Sequence, residues 1–370
     1  MRTYTLMRFA RRTALALVSA TGLALSLTGC GGSEPTQTTA PTTTPAAPET
    51  TPAETEPATG PLVVYSGRGE DLVGPLIEKF EQATGIQTDV RYAGSAEQAQ
   101  LLLTEGENSP AQVFLSQEAG ALGLLGAEGL LSALPDEVLS QVPEAYSAND
   151  GTWVGVTGRA RVVAYDSEQV SEADAPTTTA ELLDPRWAGQ IGVAPGNASF
   201  LSFITAMRLV DGEEATAEWL AALVANEAKT YERNGAILEA VNAGEIQLGL
   251  INHYYWFSAA AEQGAENMRA KLAFGAPGDV AALVNATGVG ILNSAADNPD
   301  ARAFVDFLLS EEAQRYFAEE EFEYPLVPGV PGPEGVPPLE TLRGPDIDLS
   351  DLGTVAESAA LIDEAGLTVG

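Results

Sequence analysis

Apolar residues along the chain alternate between two rhythms. Leu62-Val63-Val64-Tyr65 is a short apolar run ending in the turn residues Ser66-Gly67-Arg68-Gly69. Leu72, Leu76, Ile77 and Phe80 then fall at helical spacing before Gly85. A short apolar run bounded by a turn predicts a buried strand, and the second spacing predicts a helix with one apolar face, stopped by glycine. Residues 86–92 read as a second strand, and residues 113–115 as a third. Between them Ala93-Gly94-Ser95 leads into a helix on which Ser95 and Gln98 have the spacing of a capping box.

The rhythm resumes after Trp153. Strands are predicted at residues 161–165, 190–193, 245–251 and 283–292. Helices are predicted at residues 200–210, 215–224 (with Trp219 facing the core), 298–317 and 355–367. Residues 325–338 are too rich in Pro and Gly for regular structure. Strand, loop and helix in repetition predict an α/β fold, with a largely parallel sheet covered by helices. Two such lobes imply a cleft between them. Ligands in open α/β sheets sit beyond the carboxyl ends of strands, where helix N-termini converge. That rule selects residues 66–69, 93–95, 195–199 and 252–255.

The first residues obey a different logic. Arg2, Arg8, Arg11 and Arg12 precede an apolar run at residues 13–27, and Leu27-Thr28-Gly29-Cys30 follows. The run is shorter than the ~20 residues that span a bilayer, so residues 1–29 read as a signal peptide. The Leu-Thr-Gly-Cys end resembles a lipobox, which makes Cys30 the expected lipidated residue on the outer face of the cytoplasmic membrane. Arg11-Arg12 leaves the twin-arginine export route open. Residues 30–60 are almost all Thr, Pro, Ala, Glu and Gly and cannot bury apolar surface, so they read as a disordered tether.

Composition narrows the function classes. The chain carries 18 basic and 52 acidic side chains, a net charge of −34. Nucleic acid is thereby disfavoured as a partner, because like charges repel. The acidity itself reads as a solvated surface rather than a cation trap. Cys30 is the only cysteine, so disulfides, thiolate metal sites and a cysteine nucleophile are excluded from the folded part. No Gly-x-Ser-x-Gly elbow or phosphate-binding P-loop occurs, and His253 is the lone histidine.

The segment most suggestive of chemistry runs from Glu245 through Asn252-His253-Tyr254-Tyr255-Trp256-Phe257. A strand there feeds straight into a polar and aromatic helix start. Successive helical residues point ~100° apart, so two phenols converge only on a point near the helix end. A hard cation such as Fe3+ favours anionic oxygen. An aromatic cluster packed between lobes, or stacked on an organic ligand, fits the same residues.

Several segments taken together resemble the bacterial ferric-ion-binding proteins of iron importers. They are Leu62-Val-Val-Tyr-Ser-Gly-Arg68, Tyr92-Ala-Gly-Ser95, Gly158-Arg-Ala-Arg-Val-Val163, Asp184-Pro-Arg-Trp187, Ile251-Asn-His-Tyr-Tyr-Trp256, Phe307-Leu-Leu-Ser-Glu-Glu-Ala-Gln314 and Tyr324-Pro-Leu-Val-Pro328. The resemblance implies a two-lobed, periplasmic-binding-protein-like (type II) fold. Its expected lobes are residues 61–161 plus 286–338, and residues 162–285 plus 339–370. It implies a monomeric, non-enzymatic carrier of Fe3+ that serves the permease of an ABC importer. It places metal ligands at Tyr254 and Tyr255, with Tyr65 as a third. It places a companion anion (carbonate, phosphate or citrate) on Asn252, Asn234, Asn197, Ala198 and Ser199, with Arg159 and Arg161 as counter-charges. Where some members carry a histidine this chain has Gly69, and where some carry a carboxylate it has Gln117 followed by Glu118. The alternatives are the same fold carrying an organic anion, phosphonate or polyamine, and, as a different class, a secreted enzyme working through a carboxylate pair.

Overall fold

The computed structural model describes residues 60–367. The expected leader, the tether and Cys30 lie outside them. The chain opens with β1 (Leu62–Ser66), α1 (Glu70–Thr84), β2 (Thr88–Tyr92), α2 (Ser95–Glu105), β3 (Val113–Ser116) and α3 (Ala119–Ala127). Strands β2, β1 and β3 pair in parallel in that spatial order. Val73, Leu76, Ile77 and Phe80 of α1 are buried, and Gly85 ends the helix with φ of 78°, a conformation glycine adopts without a Cβ penalty.

The capping box expected at Ser95 and Gln98 does not form. Gly94 caps α2 without a side-chain bond. Ser95 Oγ instead accepts from the Gln117 amide at 2.8 Å, and Gln98 Nε2 donates to the Arg91 carbonyl at 2.7 Å. Both side chains are drawn off to tie the end of β2 and the loop after β3 to the helix start.

A short helix α4 (Asp136–Leu139) leads to β4 (Val154–Asp166), whose 13 residues are all buried. Then come β5 (Ile191–Val193), α5 (Ala198–Asp211), α6 (Glu213–Ala225), β6 (Lys229–Thr230), α7 (Asn234–Ala243), β7 (Leu248–Asn252), α8 (His253–Gln263) and β8 (Ala270–Phe274). The chain closes with β9 (Val284–Ile291), α9 (Pro299–Leu308), α10 (Glu311–Glu319), β10 (Tyr324–Pro325) and α11 (Val355–Glu364). The amphipathic stretch at 298–317 is two helices, because Asn298 and Ser310 each cap a new start.

Strand β4 organises the two lobes. Its first half, from Val154 to Ala160, pairs antiparallel with β9, and β9 pairs with β3. Its second half, from Arg161, pairs antiparallel with β7 and β8, and β7 continues to β5 and β6. The sheet is therefore mixed rather than largely parallel. Parallel pairing holds for β2-β1-β3 and β7-β5-β6, while the strand shared by both lobes is antiparallel to its neighbours. Only residues 161–165 of β4 carry a clear strand pattern. The first half holds Gly155 and Gly158, which lack side chains because neighbours crowd them: a Cβ on Gly155 would lie 2.5 Å from the Tyr146 carbonyl oxygen.

Phe80 packs edge-on against Phe304 of α9, with centroids 5.0 Å apart, locking α1 to α9 in the first lobe. In the second, Ile237 and Val241 of α7 pack with Ile246, Ile251 and Val162. The C-terminal segment touches both. Residues 349–353 lie on α3, while α11 packs on α5 and α6, where Ser358 Oγ meets Thr205 Oγ1 at 2.7 Å.

Candidate functional site

Three helices of the second lobe start where strands end: α5 after β5, α7 after β6 and α8 after β7. Unpaired backbone N–H groups and the positive ends of the helix dipoles collect there. The polar residues expected to hold an anion form one connected network at this point. Asn197 Oδ1 caps α5, accepting from the Ser199 amide at 3.0 Å and from Ser199 Oγ at 2.7 Å. Asn234, the first residue of α7, donates from Nδ2 to Ser199 Oγ at 2.9 Å. Asn252, before α8, accepts from Arg161 Nη1 at 3.4 Å, and the same nitrogen donates to Ser199 Oγ at 3.0 Å. Ala198 contributes its place in the first turn of α5.

Arg159 and Arg161 stand two apart on β4, on one face of the strand, and both are buried. Arg159 donates to the Gln117 carbonyl. Arg161 donates to the Leu250 carbonyl at 3.0 Å and forms no ion pair among the described residues, so burial lowers its pKa to about 9. Both Nε atoms lack partners, as does Ser202 Oγ. These side chains surround a polar void of about 10 Å3 with Glu118, Asn252 and Asn285, at most the room of one water. Glu118 caps α3, accepting from the Gly120 and Ala121 amides at 2.8 and 3.1 Å, and burial raises its pKa against those bonds.

Tyr254 and Tyr255 open α8. Their rings stack, with centroids 4.4 Å apart at 26°, and both face a cavity of about 740 Å3 together with Gln117, Arg233, Glu321 and Phe322. Burial, then the Tyr255 phenol, pushes the Tyr254 hydroxyl above its ordinary value, while Arg159 opposes the shift. The Tyr254 phenol is thus protonated at neutral pH.

A buried ion pair sits on the opposite wall. Arg68, 2% exposed, holds Glu323, 1% exposed, at 2.6 Å, and Thr157 also donates to Glu323. Burial alone would lower the Arg68 pKa, but Glu323, Tyr254 and Glu321 together raise it. Glu321 lies 3.7 Å from Arg68. Burial, outweighing Arg68 and aided by Glu323, pushes its carboxyl up to about 7. Between the two glutamates Phe322 has φ of 56°, which a side chain disfavours. That turn brings both carboxylates onto one arginine.

The Tyr65 phenol is not brought to the stacked pair. Its hydroxyl lies 3.2 Å from both carboxylate oxygens of Glu105, at the far end of α2 from the cleft, because Tyr65 points to the helix-covered face of β1. His253 is fully buried where the lobes share β4. Its Nδ1 accepts from the Ala160 amide at 3.2 Å, its ring lies 4.8 Å from Tyr324, and burial lowers its pKa to about 4.

Residues 108–344 match the family described as bacterial extracellular solute-binding protein. The chain belongs to that family. This solute-binding protein is 34% identical over 316 residues to the major ferric iron-binding protein of Neisseria meningitidis serogroup B, covering 84% of this chain and 94% of that one. It is 32% identical over 307 residues to the Fe(3+)-binding periplasmic protein of Serratia marcescens, covering 83% and 90%. Its structure superposes on iron-bound HitA from Pseudomonas aeruginosa with a TM-score of 0.76 at 33% identity, over 82% of this chain and 99% of that one. A Trichodesmium protein in complex with iron and citrate gives 0.73 at 26% identity, over 84% and 100%. The two-lobed, type II fold of the solute-binding protein follows from these matches and from the shared strand β4.

Sequence reasoning missed the roles of Glu321 and Glu323. Both sit in the run Glu319-Glu320-Glu321-Phe322-Glu323, and in so acidic a chain nothing local separates a buried glutamate from a solvated one. The Phe322 turn that does separate them is a tertiary feature.

Proposed function

We propose that this protein is an exported, lipid-anchored carrier that captures ferric iron on the phenolates of Tyr254 and Tyr255 and passes it to the permease of an ABC importer. The observation that carries this reading is the stacked phenol pair at the start of α8, facing a cavity beside an anion network built on helix N-termini. Two adjacent phenolates offer hard anionic oxygen to a hard cation. Asn197, Ala198, Ser199, Asn234 and Asn252 would hold a companion anion such as carbonate, phosphate or citrate, with Arg159 and Arg161 as its counter-charges. Iron-binding relatives of similar length support the same cargo. Cys30 would carry the lipid, with residues 30–60 as tether. The lobes would comprise residues 61–161 plus 286–338 and residues 162–285 plus 339–370, moving about the strands they share. Working as a monomer, such a carrier binds its cargo without turning it over.

The unpaired buried charge of Arg161 favours one alternative, an organic anion or phosphonate as the cargo itself. One experiment separates the two. The protein is titrated with ferric citrate, with and without bicarbonate, and its visible spectrum is followed. Tyrosinate on Fe3+ gives a charge-transfer band that saturates at one iron per protein and is lost in Tyr254→Phe combined with Tyr255→Phe. A colourless protein that takes up no iron with any anion refutes the ferric reading in favour of an organic anion.

A further inference from the structure

The proposed site is lopsided. Every phenol and amide assigned to it comes from the second lobe, while the first lobe's positions after β1 and β3 carry Gly69 and Gln117. An ion gripped from one wall alone gives the lobes no reason to close.

The opposite wall does hold a loosely paired carboxylate. Glu321 follows α10, which packs on β10 and β4 in the first lobe, and it lines the same cavity as Tyr254 and Tyr255. Its side chain is 12% exposed, and Arg68 is its ion-pair partner at 3.7 Å. That pairing is loose because Arg68 already holds Glu323 at 2.6 Å. Of the two carboxylates set on Arg68 by the Phe322 turn, Glu323 is committed and Glu321 is spare. The turn is itself anchored across the cleft, where Phe322 stacks on Phe257 of the tyrosine helix with centroids 6.4 Å apart. A strained residue held by packing beside a binding cavity is what a positioned ligand requires.

Charge makes the same demand. Fe3+ with two phenolates, whose protons pass to solvent, keeps one positive charge. Arg68, Arg159 and Arg161 all lie around this cleft and would repel it. One carboxylate from the facing wall neutralises the ion and supplies the oxygen ligand a hard cation prefers. The companion anion is then left to Arg159 and Arg161.

We infer that Glu321 is the carboxylate the first lobe contributes to the ferric ion held by Tyr254 and Tyr255. This inference rests on the ferric reading above, and its test separates the two. The full-length protein in detergent micelles is loaded with ferric citrate as wild type, Glu321→Gln, Glu321→Asp and Glu319→Gln. Glu321→Gln keeps its colour, because both phenolates remain. Its band moves to longer wavelength, since losing an anionic donor makes the iron a stronger acceptor, and competition with citrate shows at least a ~10-fold loss of affinity. Glu321→Asp lies between it and wild type, and covers the case in which the amide variant does not fold. Glu319→Gln, an equal charge change on the exposed side of α10, leaves band and affinity unchanged. A Glu321→Gln spectrum and affinity equal to wild type overturn the inference, as does an equal shift in Glu319→Gln. A wild type without any tyrosinate band refutes the ferric reading itself.

Discussion

Replacing Arg161 by methionine should make the empty protein more stable and abolish the anion binding proposed for it. Arg161 is 3% exposed, and burial lowers its pKa from 12.5 to about 9. At 1.36 kcal/mol per unit, that shift is a penalty of about 5 kcal/mol on the charged form in the folded state. The folded protein binds fewer protons than the unfolded one only between the two pKa values, so at neutral pH the whole penalty is present. Methionine removes it and fills similar space with an apolar chain. The loss is the set of bonds to Ser199, Asn252 and Leu250. Ser199 keeps Asn234 and Asn197, so the cost falls on two acceptors at about 1.5 kcal/mol each. The balance is a gain of about 2 kcal/mol. For a chain of this size that raises Tm by roughly 4 °C. Scanning calorimetry in anion-free buffer, then with phosphate or bicarbonate, reads both effects. Anion should raise the wild-type Tm through linkage and leave Arg161→Met where it was. A lower Tm for the variant without anion, or an equal anion response in both proteins, would refute the reasoning.

Two further outcomes follow from the same structure. His253 is buried with its pKa lowered from 6.5 to about 4, so the unfolded chain binds more protons in that window and stability falls as pH drops through it. The loss is about 3 kcal/mol by pH 4, read from urea midpoints, and a Glu, Asp-driven slope that His253→Gln leaves untouched would disprove the assignment. Gly123 sits inside α3, where alanine ordinarily gains about 1 kcal/mol, yet its Cβ would lie 2.1 Å from the Ser350 carbonyl oxygen. Gly123→Ala should therefore cost about 1–3 kcal/mol in chemical denaturation by lifting residues 349–353, and a stabilised variant would contradict that seat.

Local chemistry made much of this legible in advance. Leu62 to Tyr65 and the helix ending at Gly85 can be read from the sequence because an apolar run and a glycine stop act over a few residues. The rule that helix starts converge beyond strand ends also selected residues 195–199 and 252–255, where Asn197, Ser199 and Asn252 meet around Arg161. Asn234 was placed by the family resemblance alone, because the helix that it opens has no clear start signal in the sequence. Tyr254 and Tyr255 were legible as two phenols at the start of a helix, while their stacking at 4.4 Å is seen only in the fold.

What the chain concealed depends on contacts between distant segments. That Ser95 would serve Gln117 rather than its own helix, that Tyr65 would turn to Glu105, and that β4 would run on through two glycines into both lobes are outcomes of packing. Local propensity is worth tenths of a kcal/mol per residue, and a buried polar group left without a partner costs several times that, so tertiary satisfaction decides wherever the two compete. The same holds for the acidic run at residues 319–323: four glutamates look alike in sequence, and only Arg68, 255 positions from Glu323 along the chain, singles out which carboxylate is spoken for.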